Sequence, residues 1–145
     1  MKISLFLTLT LFTCNYFFAQ DWNVSFDEAL QKAQTSNKNV VLIFSGSDWC
    51  APCIKLDKTV WQSDVFKNEA SKNWELYKAD FPRKKANKLS DEQIKYNRSL
   101  AEIYNKDGSF PLIVMIDKNG KILGKMGFKN VSAEEYVILM HHLEK

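Results

Sequence analysis

The run Val40-Val41-Leu42-Ile43-Phe44 is uninterruptedly apolar, rich in β-branched residues, and bounded by Asn37-Lys38-Asn39 and by Ser45-Gly46-Ser47. With no polar alternation it reads as a strand buried on both faces. Such a strand belongs in the middle of a sheet, and both faces of that sheet have to be covered. The rest of the chain must therefore supply two layers of helices.

The flanking sequence does supply them. Residues 25–36 form a first helix, with Ser25 as cap, Glu28 in position to complete a capping box, and Phe26, Ala29, Leu30 and Ala33 as the buried stripe. After the strand, Ser45-Gly46-Ser47-Asp48-Trp49 is a short polar turn that delivers Cys50 to the next helix. That helix is expected from Cys53 or just before it to about Asn68. Ile54, Leu56, Val60 and Phe66 make its dry side, Lys55 and Lys58 its wet side, and Ser63-Asp64 a break. Residues 74–81 alternate as a second strand. Residues 82–88 carry Arg83, Lys84, Lys85 and Lys88 and read as a solvated loop, with a docking patch for an acidic partner as the sharper alternative. Ser90 and Gln93 open a helix to Tyr104. Leu112 to Ile116 is a strand, 118–121 a hairpin turn, and Ile122 to Met126 its partner. Ser132 and Glu135 cap a last helix through His142, which leaves His141 and His142 on the surface. Early strands joined through helices should be parallel, and the last two should form an antiparallel hairpin. The expected class is α/β: a central mixed sheet of about four strands with helices on both faces.

Residues 1–19 read as an export leader, followed by one domain over 20–145. Lys2 gives a minimal basic start, Ile3 to Phe12 are mostly apolar, and Ala19 precedes the cut, with Gln20 as the new terminus. An uncleaved anchor and a lipid-bearing Cys14 are the alternatives, but a membrane span takes about 20 apolar residues. Loss of the leader removes Lys2 alone from a formal charge of +3. An excess that small gives no reason to expect nucleic-acid binding.

Of three cysteines, Cys14 lies in the leader, so the mature chain keeps Cys50 and Cys53. A disulfide closing so small a loop hardly constrains the unfolded chain, which makes it a poor staple. As a redox pair the spacing is apt. Thiol exchange needs a thiolate attacker and a second thiol near enough to release the mixed disulfide. At a strand-to-helix turn, Cys50 sits at the helix mouth, where unpaired N–H groups and the positive dipole end favour an anionic sulfur. Cys53, a turn inward, suits the resolving role, and Pro52 costs nothing in a first helical turn. Zinc would need four ligands, and the only histidines are the adjacent His141 and His142. Covalent haem attachment would need His where Ile54 stands. A purely structural disulfide remains the bland alternative.

Trp49-Cys50-Ala51-Pro52-Cys53 after such a strand resembles the thioredoxin superfamily. Ala29 and Ala33, Ser47-Asp48-Trp49-Cys50, Phe110-Pro111 before a strand and Gly127 before the last helix extend the resemblance over residues 22–143. These features are similar to the exported thioredoxin-like branch that includes the C-terminal domain of the electron-transfer protein DsbD. The resemblance implies a thioredoxin fold and a cis peptide before Pro111, with Pro111 facing the cysteine pair. It also implies that the backbone of Phe110 pairs with an extended substrate segment and that Trp49 shields the thiols and meets partners; a plain core tryptophan is the alternative. Ala51-Pro52 resembles the thioredoxin-type dipeptides and implies a reductant. The partners implied are disulfide-bearing client proteins and an upstream thiol donor such as a membrane electron-transfer protein, with no small-molecule cofactor. A disulfide oxidase or isomerase and a non-catalytic binding module stay open. Two departures stand out. Phe44 occupies the place of the buried aspartate of thioredoxins, which leaves Asp48, Asp80 or water to take the Cys53 proton. Phe110 stands where thioredoxins carry threonine.

Overall fold

The computed structural model describes residues 22–145, so the leader and its cut lie outside the described residues. The strands are β1 (Asn39–Ser45), β2 (Trp74–Asp80), β3 (Leu112–Ile116) and β4 (Ile122–Met126), in the sheet order β2-β1-β3-β4. The helices are α1 (Phe26–Ser36), α2 (Ala51–Leu56), α3 (Asp64–Asn73), α4 (Asp91–Tyr104) and α5 (Ala133–His142). β1 pairs with β2 in parallel, Leu42 opposite Tyr77, and with β3 antiparallel, Leu42 opposite Val114. The β3–β4 pair is antiparallel, with a register shift at Met115/Ile116. The mixed sheet and its parallel and hairpin pairings are as the sequence predicts. That β3 runs antiparallel against β1 was not deducible from element order.

Alternation along the strands divides the core into two layers. Val41 and Ile43 of β1, Leu76 of β2, and Ile113 and Met115 of β3 face Leu56, Val60, Trp61, Phe66, Tyr136 and Met140, the side of α2, α3 and α5. Val40, Leu42 and Phe44, with Tyr77, Ala79, Val114 and Ile116, face Phe26, Ala29, Ala33 and Leu100 on α1 and α4. Residues 40–44 of β1 are thus buried on both faces, and cutting Leu42 or Ile43 to alanine costs about 2–5 kcal/mol.

Local signals set the helix ends. Ser25 Oγ accepts the Glu28 N–H at 3.0 Å, while the Glu28 carboxylate reaches past the cap to the Val24 N–H at 3.0 Å. Ser90 Oγ takes the Gln93 N–H, but the Gln93 side chain does not return to the cap; it donates to Tyr77 Oη and Asn97 Oδ1. Tertiary partners have claimed it. The helix expected from just before Cys53 to about Asn68 begins at Ala51 as α2 and breaks at Ser63, which caps α3, as the sequence suggests; the π-helical turn at Asp57–Trp61 between them was not foreseen. Ile54 is only half-buried, lining a cleft rather than the core.

His141 departs from a simple surface residue. Its ring packs on Trp74, centroids 4.9 Å apart, with Nδ1 2.8 Å from Glu144 Oε2 and Nε2 2.9 Å from Glu69 Oε1. Partial burial pushes its pKa down, but hydrogen bonds to the two carboxylates outweigh this and hold it above the ordinary value. Burial likewise disfavours the Glu144 anion, yet bonds from His141, Trp74 and Asn39 keep its pKa low. The raised histidine contributes stability that is complete below its unfolded pKa of about 6.5 and lost as pH rises through the folded value. The lowered glutamate contributes above its unfolded pKa of about 4.3 and fades as pH falls. Denaturant melts of wild type and His141→Gln should therefore differ most between about pH 5 and 6.5 and converge by about pH 9. A difference independent of pH would mean that only packing holds α5 to α3.

Candidate active site

The site lies past the C-terminal ends of β1 and β2 and the start of β3, where open α/β sheets leave a crevice. β1 ends at Ser45, and its carbonyl takes the Phe81 N–H at 2.8 Å, so the β1–β2 pairing continues into both loops. Gly46 then accepts from the N–H groups of Trp49 and Cys50 in a tight turn. A Cβ at Gly46 would overlap the Trp49 ring, which explains glycine there. Asp80, at the end of β2, accepts from Ser47 N–H at 2.9 Å and Ser47 Oγ at 2.5 Å. Buried Asn97 secures the same end by donating to the Asp80 carbonyl at 2.9 Å and accepting from Tyr77 Oη at 2.7 Å.

Cys50 and Cys53 are joined as a disulfide, Cα atoms 5.2 Å apart. Cys50 is the N-cap of α2, and its Sγ accepts the Cys53 N–H at 3.3 Å. That places an N–H donor and the helix start against the first sulfur, the environment that favours a thiolate. Exposure hardly separates the two in this disulfide form: Cys50 is 5% and Cys53 3% accessible. Ala51 is exposed and Pro52 half-buried in the first turn.

Phe110, just before β3, reaches the same rim through its ring contact with Trp49. The Phe110-Pro111 peptide is cis, the isomer that the resemblance implies, and Pro111 is buried. Asn105 holds the approach by bonding both the N–H and the carbonyl of Ser109 at 2.9 Å. The Phe110 ring meets Trp49 edge-on at 5.5 Å and Phe81 at 5.4 Å. Trp49 Nε1 donates to the Phe81 carbonyl at 2.7 Å. Trp49 is thus pinned at the rim rather than sunk in either core layer.

The carboxylates left open by the sequence have definite employment. Asp48 accepts from the N–H groups of Arg83 and Lys84 at 2.9 Å and from Asn87 Nδ2 at 3.0 Å, so it staples the 82–88 loop. The Arg83 amide is the main reason that its pKa falls below the ordinary carboxylate value. Phe44 packs on the α1–α4 layer, opposite α2, so its position does not aim toward Cys53. The next residue, Ser45, does line the cleft beside Cys53, a cavity of about 310 Å³ shared with Ser47, Ile54, Asp57, Lys58, Gln62 and Lys78. There Asp57 pairs with Lys78 at 3.5 Å through one carboxylate oxygen and accepts from Gln62 Nε2 at 2.6 Å through the other. Sequence reasoning missed Asp57, whose position four residues after Cys53 puts it one helical turn on, along the same face. It also missed Phe81, whose contribution is a carbonyl and a ring supplied by tertiary contact.

A sequence model described as "Thioredoxin-like" matches residues 21–118. The chain belongs to the thioredoxin-like family. It is 39% identical over 113 residues to the disulfide bond reductase DsbH of Chlamydia pneumoniae, a match that covers 78% of this chain and 66% of that relative. The chain thus spans just under two thirds of the relative's length. A solved DsbH oxidoreductase superposes with a TM-score of 0.80 at 34% identity, covering 95% of this chain and 94% of that one. The C-terminal domain of Neisseria meningitidis DsbD, in its oxidised form, has a TM-score of 0.53 at 17% identity over 80% of this chain and 90% of that one. That last likeness shows the fold alone.

The Asp48 staple makes a checkable claim about this thioredoxin-like site. Asp48→Ala removes the acceptor of the Arg83 and Lys84 amides and should leave the sheet intact. Hydrogen exchange should speed up selectively at those two amides, by about tenfold or more, with β1 amides unchanged. Unaltered exchange at Arg83 and Lys84 would show that the loop is held by something else.

Proposed function

We propose that the protein is an extracytoplasmic thiol–disulfide oxidoreductase that reduces disulfides in client proteins through Cys50 and Cys53. The observation that carries this reading is the linked pair at the start of α2, with Cys50 Sγ on the Cys53 N–H; the Phe110 ring of the cis Phe110-Pro111 turn against Trp49, the residue before Cys50, supports it. The 39% identity to a protein named a disulfide bond reductase supports the direction. The leader read in residues 1–19 supports the location. Among the described residues no helix is long and apolar enough to cross a membrane.

The cycle begins with the reduced pair. Cys50 thiolate attacks one sulfur of the client disulfide, and the other client sulfur leaves as thiolate and takes a proton from water. Cys53 then loses its proton and attacks Cys50 Sγ. This releases the second client thiol and leaves the Cys50–Cys53 disulfide, so two electrons have passed to the client. An upstream dithiol resets the pair, and a membrane electron-transfer protein fits that role. The Phe110 backbone pairs with the extended client segment, while Trp49 and Pro111 shape the rim. No carboxylate is available from the Phe44 position, and Asp48 is committed to the loop. Asp57, in the cleft that Cys53 lines, is the acceptor we assign to the Cys53 proton, directly or through water.

Reduction of insulin driven by dithiothreitol tests the reading. Wild type should turn over, Cys50→Ser should not, and Cys53→Ser should accumulate client adducts through Cys50. Alkylation of the reduced protein should titrate Cys50 below the free-cysteine value of about 8.5. Full turnover by Cys50→Ser, or an ordinary Cys50 pKa, would sink the cycle. Asp57→Asn should leave the first attack unchanged and slow release of the mixed disulfide by about a hundredfold near neutrality, the lower end of general-base contributions. The deficit should shrink at alkaline pH. Equal release rates at every pH would remove Asp57 from the route.

A further inference from the structure

The rim beside the cysteine pair carries a fixed positive charge. The Arg83 guanidinium lies over the Trp49 ring, 3.7 Å from its centroid, and Trp49 directly precedes Cys50. The indole cannot swing away, because Phe81 and Phe110 hold it. Nor can the loop carrying Arg83, because Asp48 holds its backbone amide. A guanidinium held over an aromatic ring still offers N–H groups to a planar carboxylate. Among the described residues no carboxylate lies within ion-pair distance of Arg83, and Arg83 is exposed. Lys88 pairs with Asp91 at 3.2 Å, and of the basic residues in the 82–88 loop it is Arg83 whose contact with the Trp49 ring puts its charge at the rim.

From this arrangement we infer that Arg83 selects client segments with an aspartate or glutamate within one or two residues of the reacting cysteine. The inference rests on the exchange reading above. A client cysteine bonded to Cys50 carries its neighbours past the rim at about 3.3 Å per residue, so those neighbours meet the Trp49–Arg83 stack. There a carboxylate gains a charge-assisted, two-point contact. A lysine meets a like charge, and an apolar side chain finds the indole face already covered. The 82–88 segment, read from sequence as a solvated loop or an acidic-partner dock, acts through the residue that reaches the rim.

The experiment uses short peptides, each with one cysteine capped as a mixed disulfide with a neutral thiol, flanked by Glu, Gln or Lys. Single-turnover rates with the reduced protein are divided by the rates of dithiothreitol on the same peptides, which cancels intrinsic reactivity. In low salt the Glu peptide should exceed the Gln peptide at least fivefold, with Lys slowest, and the spread should collapse in molar salt. Arg83→Glu should invert the order, while Arg83→Lys should retain it. Because each comparison is made within one protein, a changed Cys50 acidity cancels as well. Equal normalised rates for Glu and Gln in wild type, or an order unchanged in Arg83→Glu, overturn the inference while leaving disulfide exchange standing. Failure of every peptide to react overturns the exchange reading itself, and this inference with it.

Discussion

Everything at the active end depends on β1 being enclosed. It has a hydrogen-bonded neighbour on each edge and a helical layer on each face, so the chain can reach the surface only past the strand's ends, and past its C-terminal end it meets the site. The chain leaves there through Ser45 and Gly46, and the tight turn on the Gly46 carbonyl puts Cys50 at the head of α2. A strand exposed on one face could end in many ways. This one ends in a four-residue turn that opens α2, whose first turn sets the Cys50 and Cys53 Cα atoms 5.2 Å apart, within the roughly 4.4–6.8 Å a disulfide needs.

Around that fixed point the fold uses polar side chains, two of them buried, to hold loops and strand ends. Asp48 takes the 82–88 loop, Asp80 takes Ser47, Asn97 takes the end of β2, and Asn105 takes the turn before Phe110. Each is a short side chain satisfying backbone groups that a loop would otherwise leave to water. Three aromatic rings then lock against one another across the loops so positioned. The crevice is thereby shaped by segments far apart in sequence that share no regular structure.

That division explains what the sequence could disclose. Periodicity and caps are local, so the strands, the breaks at Ser63 and Asn37, and the sheet's two-sided cover could be read directly. The motif at Trp49 to Cys53 is likewise local, and its placement at a strand-to-helix turn followed. Asn97, Phe81 and Lys78 escaped because their roles exist only after β2 and α4 have docked. Gln93 and His141 misled for the same reason: a capping residue and an apparent surface histidine were each taken up by tertiary partners. The π-helical turn left no trace in composition, since it alters the hydrogen-bond pattern without altering the apolar stripe.

The absence of an acid at Phe44 acquires a physical sense once the two layers are distinguished. Phe44 serves the α1–α4 core, where an ionised side chain would be buried without a partner at a cost of several kcal/mol. A carboxylate near Cys53 has to come from the other layer, and the helix carrying Cys53 is the nearest source. Asp57 lies where that helix widens into its π turn, 3.5 Å from Lys78 of β2. Under the proposed cycle, the proton acceptor therefore rides on the same rigid segment as the thiol it serves. Shifts of β1 against α2 would leave that geometry unchanged, whereas an acid on the strand would feel every one of them.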